Sequence, residues 1–129
     1  MTTLQRDKNG MIPLPNHMDF ERLFRPRRPI EEGFLGGFYS PWVVVSFSAD
    51  WCGPCQRLNK KLIVDTTPDV VWYSVDVDEN KTSLGYAGCS GIPAFTLIKA
   101  GDFVDRKVGA SSVADILNWL NTYNVPVDV

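Results

Sequence analysis

Two cysteines with two residues between them, Cys52 and Cys55, are the side chains best suited to chemistry, within Trp51-Cys52-Gly53-Pro54-Cys55. They follow a β-branched apolar run and precede a stretch with helical periodicity, which predicts a strand-to-helix junction. An i, i+3 spacing on a helical turn brings Cα atoms to about 5–6 Å, within reach of a disulfide. Free N–H groups at a helix start favour a thiolate on Cys52, and Gly53 and Pro54 fit a first turn.

The expected reaction is thiol–disulfide exchange: Cys52 attacks a target disulfide and Cys55 then resolves the mixed disulfide. Two alternatives stay open, half of a zinc site and a pair of buried structural thiols. Zinc needs four ligands, and the chain offers only Cys89 and His17 besides, without a spacing that pairs them. A strand-to-helix junction favours reactive over inert cysteines. We expect neither a metal nor a cofactor.

Composition limits the classes of function. The 129 residues suit one domain, and 44% hydrophobic with 22% charged residues is typical of a globular protein. The net charge of −2 argues against a nucleic-acid partner. No apolar run approaches the roughly 18 residues of a membrane span, and the first residues lack the apolar segment of a secretory signal. Three cysteines do not frame a disulfide scaffold, so we expect a reducing, cytoplasmic compartment. We also expect a monomer without membrane partners.

The first 41 residues carry five of the nine prolines and differ from the rest of the chain. We expect a polar tail over residues 1–10 and a single domain over residues 11–129. Within that domain, residues 11–14 read as a short edge strand, and Asn16 begins a short helix that Pro26 ends. Residues 25–41 are predicted to be an extended loop.

Beyond Pro41 the pattern is regular and positions the cysteines. Strands are predicted at 42–47, 70–77, 94–98 and 103–108, and helices at 54–64, 80–87 and from Ser112 onward. In the helix over 54–64, the apolar stripe consists of Cys55, Leu58 and Leu62. The last two strands form a hairpin. This order predicts an α/β fold, a central mixed sheet flanked by helices on both faces.

The chain resembles the thioredoxin family over about residues 42–123. The motifs that carry this resemblance occur in the family's order: Ala49-Asp50-Trp51-Cys52-Gly53-Pro54-Cys55, Val75-Asp76-Val77-Asp78, Gly91-Ile92-Pro93, Lys99-Ala100-Gly101 and Lys107-Val108-Gly109-Ala110. The resemblance implies the thioredoxin fold, with Cys52 as nucleophile and Cys55 as resolving thiol. It further implies a cis peptide at Ile92–Pro93 facing the cysteines, with Ile92 presenting its backbone to an extended substrate.

The same resemblance implies a surface that binds substrate. Its residues surround the cysteines in the family's motifs: Trp51, Gly53, Pro54, Gly91, Ile92, Pro93 and Gly109. The implied partners are disulfide-containing target proteins and a reductase of the thioredoxin-reductase type.

The chain departs from the family at a buried charge pair. Where the family has an aspartate six residues before the first cysteine and a lysine on the neighbouring strand, this sequence has Ser46 and Ser74. Loss of both charges together avoids burying one alone. Because a serine hydroxyl is a poor base, we expect slower resolution by Cys55 and a flatter pH dependence.

Other departures are Ser48, in place of a tryptophan, and Lys60, in place of a proline that usually kinks the helix. Ser48 could open the groove or change partner choice, or an aromatic such as Phe38 or Tyr39 could compensate. The segment 25–41 is longer than the family's usual link. Two interpretations stay open for this segment. It is either a packed connection that covers the sheet edge with Phe34, Leu35 and Phe38, or a partner-binding loop whose Arg25, Arg27 and Arg28 meet an acidic surface. Cys89 reads as a buried thiol and His17 as a solvated residue.

Three functions compete. The first is a protein-disulfide reductase that cycles between the dithiol and disulfide of Cys52 and Cys55. The second is a more oxidising disulfide exchanger or isomerase, against which the Gly53-Pro54 dipeptide argues. The third is a binding or assembly subunit that uses the fold without its cysteines.

Overall fold

A five-stranded mixed sheet forms the centre of the molecule in a computed structural model, which describes residues 5–24, 34–35, 38–39, 41–110 and 112–128. The strand order is β1-β5-β4-β6-β7. The five strands are β1 (Ile12–Pro13), β4 (Trp42–Ser48), β5 (Val70–Asp76), β6 (Ala94–Lys99) and β7 (Asp102–Val108). The first three run parallel, while β6 pairs antiparallel with β4 and β7 antiparallel with β6. The predicted α/β class and mixed sheet are confirmed.

The described residues also form five α-helices: α1 (His17–Glu21), α2 (Gly53–Arg57), α3 (Lys60–Asp65), α4 (Lys81–Tyr86) and α5 (Val113–Thr122). The side chains of Asn16 and Ser112 cap α1 and α5, as predicted, by accepting N–H groups three residues on. In α5 the side chains of Ile116 and Leu120, four residues apart, are fully buried. This helix therefore lies against the sheet along one apolar face.

The prediction of a single helix over 54–64 is wrong, because the helix is interrupted between α2 and α3. Leu58 adopts an extended backbone, with φ −80° and ψ 124°, and Asn59 caps a new helix by accepting the N–H of Leu62. The restart shifts the helical phase by one residue. Consequently Ile63 is buried, whereas the predicted stripe residue Leu62 is 45% exposed.

The N-terminal region is part of the fold. Ile12 pairs with Tyr73 at the sheet edge, as predicted for this strand. Helix α1 continues into a 3₁₀ turn (Arg22–Phe24). Within the predicted tail, Asp7 Oδ1 accepts the N–H groups of Asn9 and Met11, so the described part of that tail contains a hydrogen-bonded turn. The division at residue 10 stays a prediction.

His17 was expected to be a solvated side chain, and this expectation is wrong. Its Nδ1 lies 2.9 Å from the Ser83 hydroxyl of α4, and its ring meets the Tyr86 ring edge-on with centroids 5.1 Å apart. Phe20 lies fully buried beside these groups and contacts Phe24 and Phe47 edge-on. Helix α1 is thereby fixed to α4 by a cluster of rings.

The segment 25–41, predicted as a loop, contains a short hairpin of β2 (Phe34–Leu35) and β3 (Phe38–Tyr39). The sequence between these strands is Gly36-Gly37, a pair typical of two-residue hairpin turns. The two interpretations of this segment are not decided. Arg25, Arg27 and Arg28 lie outside the described residues, as do the side chains of the hairpin.

Two apolar clusters pack on opposite faces of the sheet, because successive strand residues point to opposite sides. The site face carries Val43, Val45 and Phe47 from β4 together with both cysteines of the motif. The back face carries Val44, Phe95 and Leu97, against which residues of α3 and α5 pack. Since Phe20 of α1 and Leu84 of α4 join the site-face cluster, helices cover both faces, as predicted.

Candidate active site

The Cys52–Cys55 disulfide lies where β4 leads into α2, as the spacing predicts. The two Cα atoms are 5.2 Å apart. Cys52 is the N-cap of α2, and its Sγ accepts the backbone N–H of Cys55 at 3.2 Å. Cys52 is 4% exposed and Cys55 is fully buried. A sulfur that accepts a backbone N–H at a helix start is stabilised as an anion when the disulfide is reduced.

The Ile92–Pro93 peptide bond is cis, as the resemblance implies. Ile92 is half-buried and packs on the site-face cluster that contains both cysteines. The carbonyl of Pro93 accepts the N–H of Gly109 at 2.7 Å. This hydrogen bond joins two of the predicted substrate-binding residues directly, across the start of β6 and the end of β7.

Trp51 is the most exposed aromatic group beside the disulfide, with 68% of its surface accessible. Its indole N–H is shared between the two carboxylate oxygens of Asp78, at 3.0 and 3.2 Å. Trp51 follows β4 and Asp78 follows β5, so this hydrogen bond links the segments that leave the carboxyl ends of the two parallel strands. The large apolar ring is therefore held in place while facing solvent.

Arg57, at the end of α2, folds back over the segment between the cysteines. Its Nη1 lies 3.1 Å from the position that a Cβ on Gly53 would occupy. With Pro54, Leu58 and Ala110 it lines a solvent-open cleft of about 420 Å³. Gly53 thus gives the guanidinium room that a side chain would fill.

The two serines that replace the family's charge pair lie opposite each other. Ser46 on β4 is in register with Ser74 on β5, and Ser46 is 1% exposed. Their adjacency matches the neighbouring-strand relation that the resemblance implies. By strand alternation with Val44, Ser46 points to the back face, which places an uncharged hydroxyl where the family has a carboxylate.

The other two departures from the family contact each other. Lys60 Nζ lies 2.9 Å from the Ser48 hydroxyl, to which it donates. Burial lowers the pKa of Lys60, partly offset by the Asp7 carboxylate, which raises it. Lys8 lowers that pKa further and Asp50 raises it. A half-buried lysine therefore fills space beside Ser48 where the family has a tryptophan.

Cys89, the third cysteine, is a free thiol within the site-face cluster and is buried, as predicted. Burial raises the pKa of its thiol, and this outweighs the opposite influence of Arg106. Arg106 on β7 also donates its Nε–H to the carbonyl of Ala87 at 2.8 Å and lies against Gly88. It thereby holds the segment that leads from α4 toward Pro93.

Most of the predicted site residues gather around α2 and the start of β6. Gly91 precedes Ile92 and is half-exposed, and no atom lies within 4 Å of where its Cβ would be. Its contact with the cysteines stays a prediction. Within the described ranges, no cluster of three or more His, Cys, Asp or Glu side chains could hold a metal ion.

Three residues of the site were not assigned a role from the sequence: Asp78, Arg57 and Arg106. For Arg57 a signal existed, since position i+4 on a helix lies above position i, here Gly53. Asp78 and Arg106 contact residues far along the chain, at Trp51 and Ala87, and local patterns carry no information about such pairs.

Comparison with known proteins gives one consistent family. The family model described as thioredoxin matches residues 38–122. The chain is 37% identical over 76 residues to a thioredoxin of Geodia cydonium, covering 57% of this chain and 72% of the relative. It is 46% identical over 70 residues to thioredoxin H-type 1 of Nicotiana tabacum, covering 53% of this chain and 56% of that protein.

Solved structures show the same likeness. The Fasciola hepatica thioredoxin superposes with a TM-score of 0.68 at 29% identity, covering 87% of this chain and 98% of that one. A Schistosoma mansoni thioredoxin gives 0.66 at 27% identity, covering 89% and 96%. No helix among the described residues is long and apolar enough to cross a membrane.

Proposed function

This chain belongs to the thioredoxin family and is a thiol–disulfide oxidoreductase, and from that premise we propose that it reduces disulfides in target proteins. The observation that carries the proposal is the Cys52–Cys55 disulfide at the start of α2. This arrangement places one cysteine at the N-cap, where backbone N–H groups favour a thiolate, and the other in the first turn within disulfide distance.

In the proposed cycle the reduced chain acts first through Cys52. The Cys52 thiolate attacks one sulfur of a target disulfide, the target S–S bond breaks, and the leaving target thiolate takes a proton. The Cys55 thiolate then attacks Cys52 Sγ in the mixed disulfide. The second target thiol leaves, the target has gained two electrons, and the chain holds the Cys52–Cys55 disulfide. The position of Cys52 as the N-cap of α2, with its Sγ accepting the N–H of Cys55, supports this assignment of roles.

The surface proposed to bind the target surrounds the disulfide. It consists of Trp51, Gly53, Pro54, Gly91, Ile92, Pro93 and Gly109. Support comes from the exposure of Trp51 and from the packing of Ile92 on the cluster of the cysteines. Ile92 would pair its backbone with an extended target segment.

A reductase of the thioredoxin-reductase type is the proposed electron donor, because each turnover leaves the chain oxidised. We further propose that the protein acts as a monomer in the cytoplasm. The sparse cysteines, with Cys89 a free and buried thiol, support a reducing compartment.

The test is reduction of a protein disulfide, such as that of insulin, with dithiothreitol as electron source. We expect Cys52→Ser to abolish the acceleration over dithiothreitol alone. Cys55→Ser should instead accumulate a mixed disulfide between Cys52 and the target, visible by mass spectrometry as a covalent adduct. Cys89→Ser is the matched control and should retain the activity of the parent chain.

The outcomes separate the competing functions. If Cys55→Ser forms its adduct through Cys89, the assignment of the nucleophile is wrong. A chain with Cys52→Ser and Cys55→Ser that still supports its cellular role would favour the binding or assembly function.

A more oxidising exchanger is a second candidate, because the exchange of the family's buried charge pair for Ser46 and Ser74 leaves the reduction potential open. The measurement is the reduction potential of the Cys52–Cys55 pair in defined thiol–disulfide buffers. Thioredoxin itself lies at about −270 mV, and a similar value would support the reductase. A potential above roughly −200 mV would support the oxidising exchanger instead.

A further inference from the structure

The cleft beside the disulfide has apolar walls and one charged group. Pro54, Leu58 and Ala110 supply the walls, and Arg57 supplies the charge. Ala110 follows Gly109, whose N–H is bonded to the carbonyl of Pro93. The cleft therefore borders both the helix that holds the cysteines and the strand end proposed to receive the target.

The Arg57 guanidinium lies over Gly53, between the two cysteines of the motif. Its Nη1 and Cζ lie 3.1 and 3.9 Å from the position of a Cβ on Gly53, the residue that follows Cys52. The neighbouring side chain on α2 is engaged elsewhere, because Gln56 Nε2 donates to the carbonyl of Ala49 at 2.8 Å. Because Gly53 directly follows Cys52, the guanidinium borders the surface proposed to bind the target.

Arg57 has no carboxylate partner within the part of the chain that the structure describes. Ion pairs in that part of the chain include His17–Glu21 and Lys61–Asp65, and the Asp78 carboxylate accepts the Trp51 indole N–H. A guanidinium offers five donors in a planar fork that matches a carboxylate. A positive group with free donors in an open cleft is complementary to an acidic side chain.

We propose that Arg57 and its cleft form a carboxylate-binding subsite that selects target proteins with an aspartate or glutamate close to the attacked disulfide. This inference rests on the proposed function, since it specifies which disulfides the same site prefers. Because the guanidinium is exposed, the expected preference is modest, about two- to fivefold in kcat/KM, and it falls as salt screens the charge.

The test uses two disulfide-bonded peptides that differ only in one residue beside a cysteine, aspartate in one and asparagine in the other. The parent chain should reduce the aspartate peptide with the higher kcat/KM, and Arg57→Met should remove that preference. Arg57→Glu should prefer a third peptide that carries lysine at this position. Arg6→Met is the matched control, since Arg6 lines a different cleft with Gly10 and Val64, and it should keep the parent's preference.

Equal kcat/KM for the aspartate and asparagine peptides in the parent chain, or an undiminished preference in Arg57→Met, would overturn the subsite. Reduction of the asparagine peptide by the parent chain reports on the proposed function separately. A parent chain that reduces neither peptide overturns the reductase and the subsite together.

Discussion

Both faces of the sheet carry a buried apolar cluster, but the two clusters differ in chemistry. The site face gathers all three cysteines with aromatic rings from α1 and β4, among them Phe20 and Phe47. The back face holds α3 and α5 over an apolar cluster and carries the hydroxyl of Ser46 within it. Sulfur chemistry and the position of the family's buried charge pair therefore lie on opposite sides of β4.

This difference shows which parts of the family pattern this chain keeps. The site face keeps the cysteines and the cis-proline, while the back face has exchanged charged groups for hydroxyls at Ser46 and Ser74. Substitutions on the site face should alter the surroundings of the thiols. Those on the back face should alter stability and its dependence on pH.

The largest expected effect is on the site face. Phe20→Ala removes a fully buried ring and should lower the free energy of unfolding by about 3–5 kcal/mol in chemical denaturation. Ile116→Ala is the back-face counterpart, with an expected loss of about 2–5 kcal/mol. Only Phe20→Ala should speed modification of the Cys89 thiol in the folded state, because Cys89 shares the cluster of Phe20. Equal labelling rates in the two variants would contradict the separation of the faces.

Next comes a charge placed on the back face. Ser46→Asp buries a carboxylate opposite Ser74 without a partner and should cost about 3 kcal/mol of unfolding free energy. Adding Ser74→Lys should recover part of this loss, whereas Ser74→Lys alone should not stabilise the chain. A double-mutant cycle measures the coupling, and a denaturation midpoint unchanged by Ser46→Asp would show that Ser46 is not in an apolar environment.

A smaller effect is expected where α4 leads toward Pro93. Gly88 has φ +74°, and a Cβ there would lie 3.0 Å from the Arg106 guanidinium, so Gly88→Ala should cost about 1–2 kcal/mol. Gly85→Ala is the control, because Gly85 lies within α4 with open space around it and should gain about 0.5–1 kcal/mol. Thermal or chemical unfolding measures the stability of both variants. A loss of stability in Gly85→Ala would contradict the open space around Gly85.

The smallest effect is a pH dependence from Lys60. Because burial lowers the pKa of Lys60 in the folded state, the unfolded chain binds more protons between that lowered value and the ordinary lysine value. Stability of the parent chain should therefore rise relative to Lys60→Met as pH increases through this alkaline window. Parallel stability curves for the two chains between neutral and alkaline pH would contradict a half-buried ammonium at this position.

Local patterns predict those parts of the fold that depend on neighbouring residues. The caps at Asn16 and Ser112 and the junction at Cys52 follow from short-range hydrogen bonding. The helix break at Leu58 escaped prediction, because its apolar side chain fits the helical stripe and only its extended backbone ends the helix. His17 escaped for a different reason, since its partner Ser83 is distant in sequence.

The site divides in the same way. The pairing of Cys52 with Cys55 follows from their spacing, and the placement of Pro93 from the family resemblance. The contacts of Trp51 with Asp78 and of Lys60 with Ser48 arise only when β4, β5 and α3 are assembled. Tertiary contacts of this kind determine where the charged groups Asp78 and Lys60 lie in the folded chain.

The pairing of β1 with β5 sets an order of events during synthesis. Ile12 and Pro13 are made early, but their partners Tyr73 and Ser74 follow only after β4 and the cysteine motif have been added. The ring of Phe20 likewise cannot make its contacts until Phe47 and Tyr86 have been added to the chain. While the ribosome extends the chain, the cysteines leave the exit tunnel before β5 does, so the site-face cluster cannot yet close. Nascent chains stalled when residues 52–55 have left the tunnel but residue 70 has not should therefore expose both thiols to the surrounding redox buffer.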